Sequence, residues 1–153
     1  MVATSTPTDS PVDNALLGVA TGFLSQVGPT AVIVNADPDR LPTFLTGQGV
    51  ERLLLLGSLG EVLANAFVSF LPGRNRPPVL FQRMAFGAVA AALLASTRKG
   101  DVGQGALIGA TTAGAAAVVS TPLRAMLGKV VPDLVVALGE TVLAIVLARR
   151  ATR

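Results

Sequence analysis

Two carboxylates stand inside apolar stretches of this chain, and their chemistry needs an explanation first. Glu61 lies in Leu59-Gly60-Glu61-Val62-Leu63-Ala64, and Glu140 lies in Leu138-Gly139-Glu140-Thr141-Val142-Leu143-Ala144. Each follows a glycine and sits near the middle of a long apolar run. In hydrocarbon, an acidic group at a helix centre costs roughly 2.5–3.5 kcal/mol on insertion scales. A partner, water or a proton must offset that cost. A carboxylate that exchanges a proton at mid-depth can couple to a gradient. The plainer alternative is an interhelical hydrogen bond, or a pair with an arginine, that only holds helices together.

The neighbours of Glu61 extend the pattern. Ser58 and Asn65 lie three residues before and four after it, on the same helix face. A stripe of Ser58, Glu61 and Asn65 must face a protein interior or a wet cavity. Ser25 and Gln26, from an earlier apolar run, could complete it. Arg83 and Arg124 each stand about one turn inside the end of an apolar segment. They are either charge partners for the two acids or arginines whose long stems reach the headgroups. Asp133 follows Pro132 at a helix start, where an acid favours the positive end of the helix dipole. Arg74 and Arg76, in Pro72-Gly73-Arg74-Asn75-Arg76-Pro77-Pro78, belong to a rigid basic turn. That turn either meets anionic lipid headgroups or is simply solvated.

Residue types exclude several functions. There is no His and no Cys, so imidazole–metal sites and thiol chemistry are absent. No nucleophile–base set appears, and residues 100–109 lack the Lys-Ser/Thr end of a phosphate loop. The expectation is a non-enzyme with no cofactor and no metal. The net charge is +3, with ten Arg and two Lys. These stand singly or in pairs at the ends of apolar runs, without the basic face and interleaved aromatics of a nucleic-acid binder. The excess of Arg over Lys and the high Ala content point to a GC-rich bacterial genome.

The elements that must position these residues are apolar and helical. Of 153 residues, 51% are hydrophobic and only 14% charged, with a mean hydropathy of +0.64. A soluble domain usually carries about 25% charged residues. Lipid as solvent removes the need for a polar outside. Trp and Tyr are absent, so the usual aromatic belt is missing, which counts against a bilayer.

Five apolar runs follow one another: residues 15–34, 53–71, 80–96, 106–127 and 130–148. Nineteen helical residues cover about 28 Å, close to the hydrocarbon thickness. The first run is interrupted by Ser25, Gln26 and Pro29. No positive segment precedes it, so it reads as retained rather than as a cleaved signal. The reading is an all-α, polytopic bundle of about five transmembrane helices. It comprises a disordered polar tail (1–14), one helical domain (15–149) and a short basic tail (150–153). In the fourth run Gly105, Gly109, Ala113 and Ala117 recur every four positions, with Gly114 beside them. Such small residues let helix backbones approach. The short link Gly128-Lys129 predicts an antiparallel hairpin of the fourth and fifth helices. Seven basic residues against five place the C-terminus in the cytoplasm and the N-terminus outside the plasma membrane.

Two pairs of segments look alike. Ala15-Leu16-Leu17-Gly18-Val19-Ala20-Thr21 resembles Ala106-Leu107-Ile108-Gly109-Ala110-Thr111-Thr112, and the Gly60-Glu61 segment resembles the Gly139-Glu140 segment. With one helix between the pairs, the expectation is an inverted repeat, an arrangement common in transporters. Chance likeness of Ala/Leu/Gly-rich stretches is the alternative.

From residue 50 to the end, the chain resembles a bacterial integral membrane family known as domain of unknown function 4126. The likeness rests on Gly60-Glu61, then Pro72, Arg74, Pro77-Pro78, Leu80 and Arg83, and on Pro132-Asp133 followed by Glu140. An Asp-Lys pair is expected in that family where Asn65-Ala66 stands here. The resemblance implies a membrane location and a Gly/Ala-rich helical fold, and no established activity.

The expected function is therefore a small transporter or channel-like protein. Glu61 and Glu140 would line its site, the bilayer would be its partner, and it would form a homo-oligomer. A non-transporting scaffold or accessory subunit of a larger membrane complex is the competing expectation.

Overall fold

The computed structural model describes residues 9–67 and 77–153, and among these it is all-helical, with six α-helices and no strand. They are α1 (Pro11–Phe23), α2 (Val27–Asn35), α3 (Gln48–Phe67), α4 (Pro77–Thr97), α5 (Val102–Leu127) and α6 (Asp133–Ala151). The α1 helix begins inside the stretch expected to be a disordered tail, with Ser10 capping it and Pro11 in its first turn. The α6 helix likewise runs past residue 150.

The first apolar run is two helices, not one. Pro29 is the third residue of α2. In an unbroken helix its ring would clash with the Ser25 carbonyl and remove one hydrogen bond. Placed in a first turn, it costs nothing. At 1.5 Å per residue, α1 is about 20 Å long and α2 about 14 Å.

The chain also reverses at the break. Gly28 lies directly against Thr21 of α1 and Ala90 of α4, where any side chain would overlap them. The start of α1 is tied to the end of α4 by Arg98, which donates to Asp13 at 2.6 Å. The end of α2 lies at that same end, with Asn35 and Ala36 beside Thr97 and Arg98. So α1 and α2 form a helical hairpin that returns to where it began.

The other helices run end to end. Ser58 pairs with Thr30 and Glu61 with Ser25, so α3 runs antiparallel to α2. The α4 and α5 helices are antiparallel and closely packed, with Gly105 against Ala91 and Ala95 and Gly109 against Gly87. Their link is the expected charged turn, in which Asp101 caps α5 through Gln104 N–H at 3.0 Å. Small residues on α5 meet α1 on another face: Gly18 lies on Gly109, and Gly22 on Ala113 and Ala116. The close backbone approach expected of the small residues in the fourth run is thus present.

Three expectations are overturned. The α5 and α6 helices do not form a packed hairpin; α6 lies mainly on α1, with Ala144, Ala148 and Ala151 in a core shared with Leu17, Leu24, Val32 and Leu94. Gly18 pairing with Gly109 and Gly22 with Ala113 makes α1 and α5 parallel, whereas the matched helices of an inverted repeat must oppose. Finally, Arg98 holds both Asp13 near the N-terminus and the Ala151 carbonyl near the C-terminus. The start of α1 and the end of α6 therefore lie at one end of the bundle, against the expectation that places the first and last helix ends on opposite sides.

Among the described residues, two helices, α4 and α5, are long and apolar enough to cross a membrane, and five such helices are not found there. The α1 and α2 helices are each too short, whereas α3 and α6 reach the length and carry charges at their ends and middles.

Candidate functional site

The hairpin tip, Leu24-Ser25-Gln26, leaves backbone groups of two helix ends without helical partners. Two charged side chains from other helices supply them. The Glu61 carboxylate of α3 accepts three hydrogen bonds at the start of α2. Its Oε1 takes the Ser25 N–H at 2.7 Å and the Ser25 hydroxyl at 2.8 Å, and its Oε2 takes the Gln26 N–H at 2.9 Å. An anion at a helix N-terminus is favoured both by the free N–H groups and by the dipole. On the other side of the break, the Arg83 guanidinium of α4 covers the end of α1. It donates to the Gly22 carbonyl and, at 2.8 Å, to the Phe23 carbonyl. A cation there complements the negative end of the dipole. Arg83 is buried, at 7% exposure, and does not reach for the surface.

Polar neighbours complete the tip. Ser58 on α3 shares a hydrogen bond with Thr30 on α2 at 2.9 Å. The Gln26 side chain lies against Gly57, which has no side chain to block it. Glu61, Ser58, Gln26 and Ser25 are therefore brought together as the stripe predicted. The Asn65 side chain, and Arg74 and Arg76, lie outside the described residues. No known family, curated protein or solved structure matches this chain. The tip must be understood from its own geometry.

Glu140 belongs to a different cluster. Arg124 of α5 donates to Asp133 through Nε at 2.7 Å and Nη2 at 2.8 Å, a two-pronged pair. Its Nη1 also reaches Glu140 at 3.3 Å. The expected partnership of an inner acid with Arg124 is met, but for Glu140 alone. Asp133 stands in the first turn of α6 as expected, and its carboxylate also faces Arg124.

Sequence reasoning missed Thr30, the amides of Ser25 and Gln26, and the carbonyls of Gly22 and Phe23. The interruption Ser25-Gln26-Val27-Gly28-Pro29 was their signal. It marks a chain reversal, with Gly28 permitting close return and Pro29 requiring a helix start.

Chemically, the tip holds a carboxylate met by neutral donors on one side of the break and a guanidinium met by carbonyls on the other. A proton on Glu61 would remove the charge, weaken charge-assisted bonds and loosen α3 from α2. In the second cluster a cation lies between two acids, and the attraction there is charge on charge.

Proposed function

We propose that this chain is a multi-pass membrane protein of the transporter or channel type, with Glu61 as its proton- or ion-responsive group. In this reading α3, α4, α5 and α6 cross the bilayer, and the α1–α2 hairpin re-enters from the side it left. Support for a lipid surround comes from an inside-out size pattern. The interior is rich in alanine, with Ala90, Ala91, Ala95, Ala113, Ala117 and Ala144 beside a smaller set of Leu17, Leu24, Val32 and Leu94, while many large apolar side chains, Leu53, Leu56, Leu63, Val119 and Val142 among them, are exposed. In water the large side chains would be inside; in lipid, small residues pack helices and large ones meet the chains. So many exposed large apolar side chains would make a water-soluble protein prone to aggregate.

The observation that carries transport is the broken helix with a carboxylate at its tip. Irregular backbone is tolerated at membrane depth only where protein or a wet cavity covers it. Transporters place such half-helix ends at their sites. The basic residues Arg40, Arg52, Arg98, Lys99, Arg149, Arg150 and Arg153 belong to the end holding both termini, which favours that end as cytoplasmic. Membership of the domain of unknown function 4126 family, a plasma-membrane location and assembly as a homo-oligomer fit this reading.

Reconstituted into liposomes, the protein should pass protons or small cations, and Glu61→Gln should lower the flux at least tenfold. Glu140→Gln should keep most of it. Equal flux in the wild type and Glu61→Gln would remove the role given to this carboxylate. A non-transporting scaffold is favoured by one fact: each described bond of the Glu61 carboxylate is closed within the protein. That reading predicts no flux in either protein, and stable co-purification with a larger complex.

A further inference from the structure

A polar cavity, of about 260 Å³, opens at the end of the bundle where the α1–α2 hairpin leaves it. It lies between the end of α2, the end of α4 and the residues after α6. Three arginines line it: Arg40, Arg98 and Arg153. We infer that this cavity binds a phosphate group, and that its natural source is an anionic phospholipid headgroup.

The arginines are arranged for this. Arg98 is nearly buried, with its side chain 7% exposed, and is fixed by Asp13 at 2.6 Å and by the Ala151 carbonyl at 2.9 Å. Arg40 is steadied by the Thr97 carbonyl at 3.3 Å and by Asp37 at 3.9 Å. Arg153 stands exposed at the rim. Each guanidinium carries five N–H donors in a planar fork. The bonds described use only some of those on Arg40 and Arg98, and the fork matches phosphate oxygens two at a time.

Charge agrees with this assignment. Three arginines face the cavity against Asp37 in its wall and Asp13 behind Arg98. The C-terminal ends of α2, α4 and α6 would all repel an anion, but Arg40 and Arg98 cover the Thr97 and Ala151 carbonyls at two of them. Lys99, Arg149 and Arg150 are exposed at the same end and would attract an anionic surface. Val32 and Leu94 back the cavity but are nearly fully buried, so the exposed basic residues around its mouth, not an apolar wall, favour a lipid surface over a free ion.

Calorimetric titration of the intact protein in detergent distinguishes the sources. The probes are inorganic phosphate, dihexanoyl phosphatidylglycerol and dihexanoyl phosphatidylcholine. Wild type should bind the anionic lipid at least about tenfold more tightly than the zwitterionic one. An Arg40→Gln/Arg153→Gln variant should lose that preference. Arg98 is left in place because it ties α1, α4 and α6 together. If the double variant unfolds at a lower temperature, Arg153→Gln alone, which gives up no described bond, should still weaken the anionic lipid severalfold. Inorganic phosphate binding as tightly as the anionic lipid would keep the site and make free phosphate its ligand. No preference for either anion in the wild type, or wild-type affinity in both variants, would overturn the inference.

Discussion

The two halves of this protein start from similar sequence and end in opposite structures. Residues 15–21 and 106–112 are alike, and their helices lie side by side, Gly18 on Gly109. Each helix then meets a proline. At Pro29 the chain breaks and turns back; at Pro122 the α5 helix continues to Leu127. A proline in a helix opposes the carbonyl four residues earlier in both cases. What differs is the set of groups waiting for the freed backbone. Around Pro29, Arg83 takes the carbonyls of one helix end and Glu61 takes the amides of the next. Before Pro122, the hydroxyls of Ser120 and Thr121 bond back within the same helix to the Ala117 carbonyl, next to the Val118 carbonyl that the proline frees. The proline offers a break, and distant charged side chains decide whether the chain accepts it.

The comparison is broken most directly by topology, where the outcome is all or none. The chain lacks cysteine, so single cysteines report cleanly. In sealed vesicles of uniform orientation, Val12→Cys and Asp39→Cys should react with an impermeant maleimide from the same side. Lys129→Cys should react only from the other. Reaction of Val12→Cys and Asp39→Cys from opposite sides would mean that the first apolar run crosses, as α5 does.

Next in size are the two arginines. Arg83→Met leaves two buried carbonyls and a helix end without a donor, a loss of about 3 kcal/mol or more. Arg124→Met strips the cation from Asp133 and Glu140, but Asp133 is 36% exposed. Water can take its place there, so the loss is nearer about 2 kcal/mol. Thermal unfolding followed by helical circular dichroism should rank them in that order. The reverse ranking would mean that the α5–α6 ion cluster, not the hairpin tip, holds the fold.

Much of this was legible in the sequence, and the part that was not has a physical cause. The helical class, the small-residue packing of α5 and the shared face of Ser58 and Glu61 follow from composition and from spacing along one helix. The reversal at residues 24–26 does not. Hydropathy counts apolar residues and does not register direction, so residues 15–34 read as one crossing although Pro29 lies among them. The pairing of Arg83 with the tip and of Arg124 with Glu140 also depends on which helices become neighbours. Arg83 is 61 residues from Gly22 and 60 from Phe23, and no local pattern reports that separation. Once the hairpin closes, the start of α1 and the end of α6 fall on one side, and the parallel pairing of α1 with α5 removes the inverted repeat.

The smallest effect separates the proline from its caps. Pro29→Ala restores an N–H and removes the clash with the Ser25 carbonyl, so α1 and α2 become free to join as one helix. If the caps decide, they will not. Glu61 and Arg83 still hold the two helix ends, and Gly28 still seats α2 against Thr21 and Ala90. The variant should then lose less than about 1 kcal/mol, the usual entropic worth of one well-placed proline. Asp39→Cys in the Pro29→Ala background should keep its side of labelling. Combining Pro29→Ala with Glu61→Gln should cost more than the two changes made separately, since proline and carboxylate then act on the same break. A Pro29→Ala protein in which Asp39→Cys moves to the opposite side would show the proline alone to be decisive. The contrast with Pro122 would then lie in where each proline falls along its helix, not in the charges that meet it.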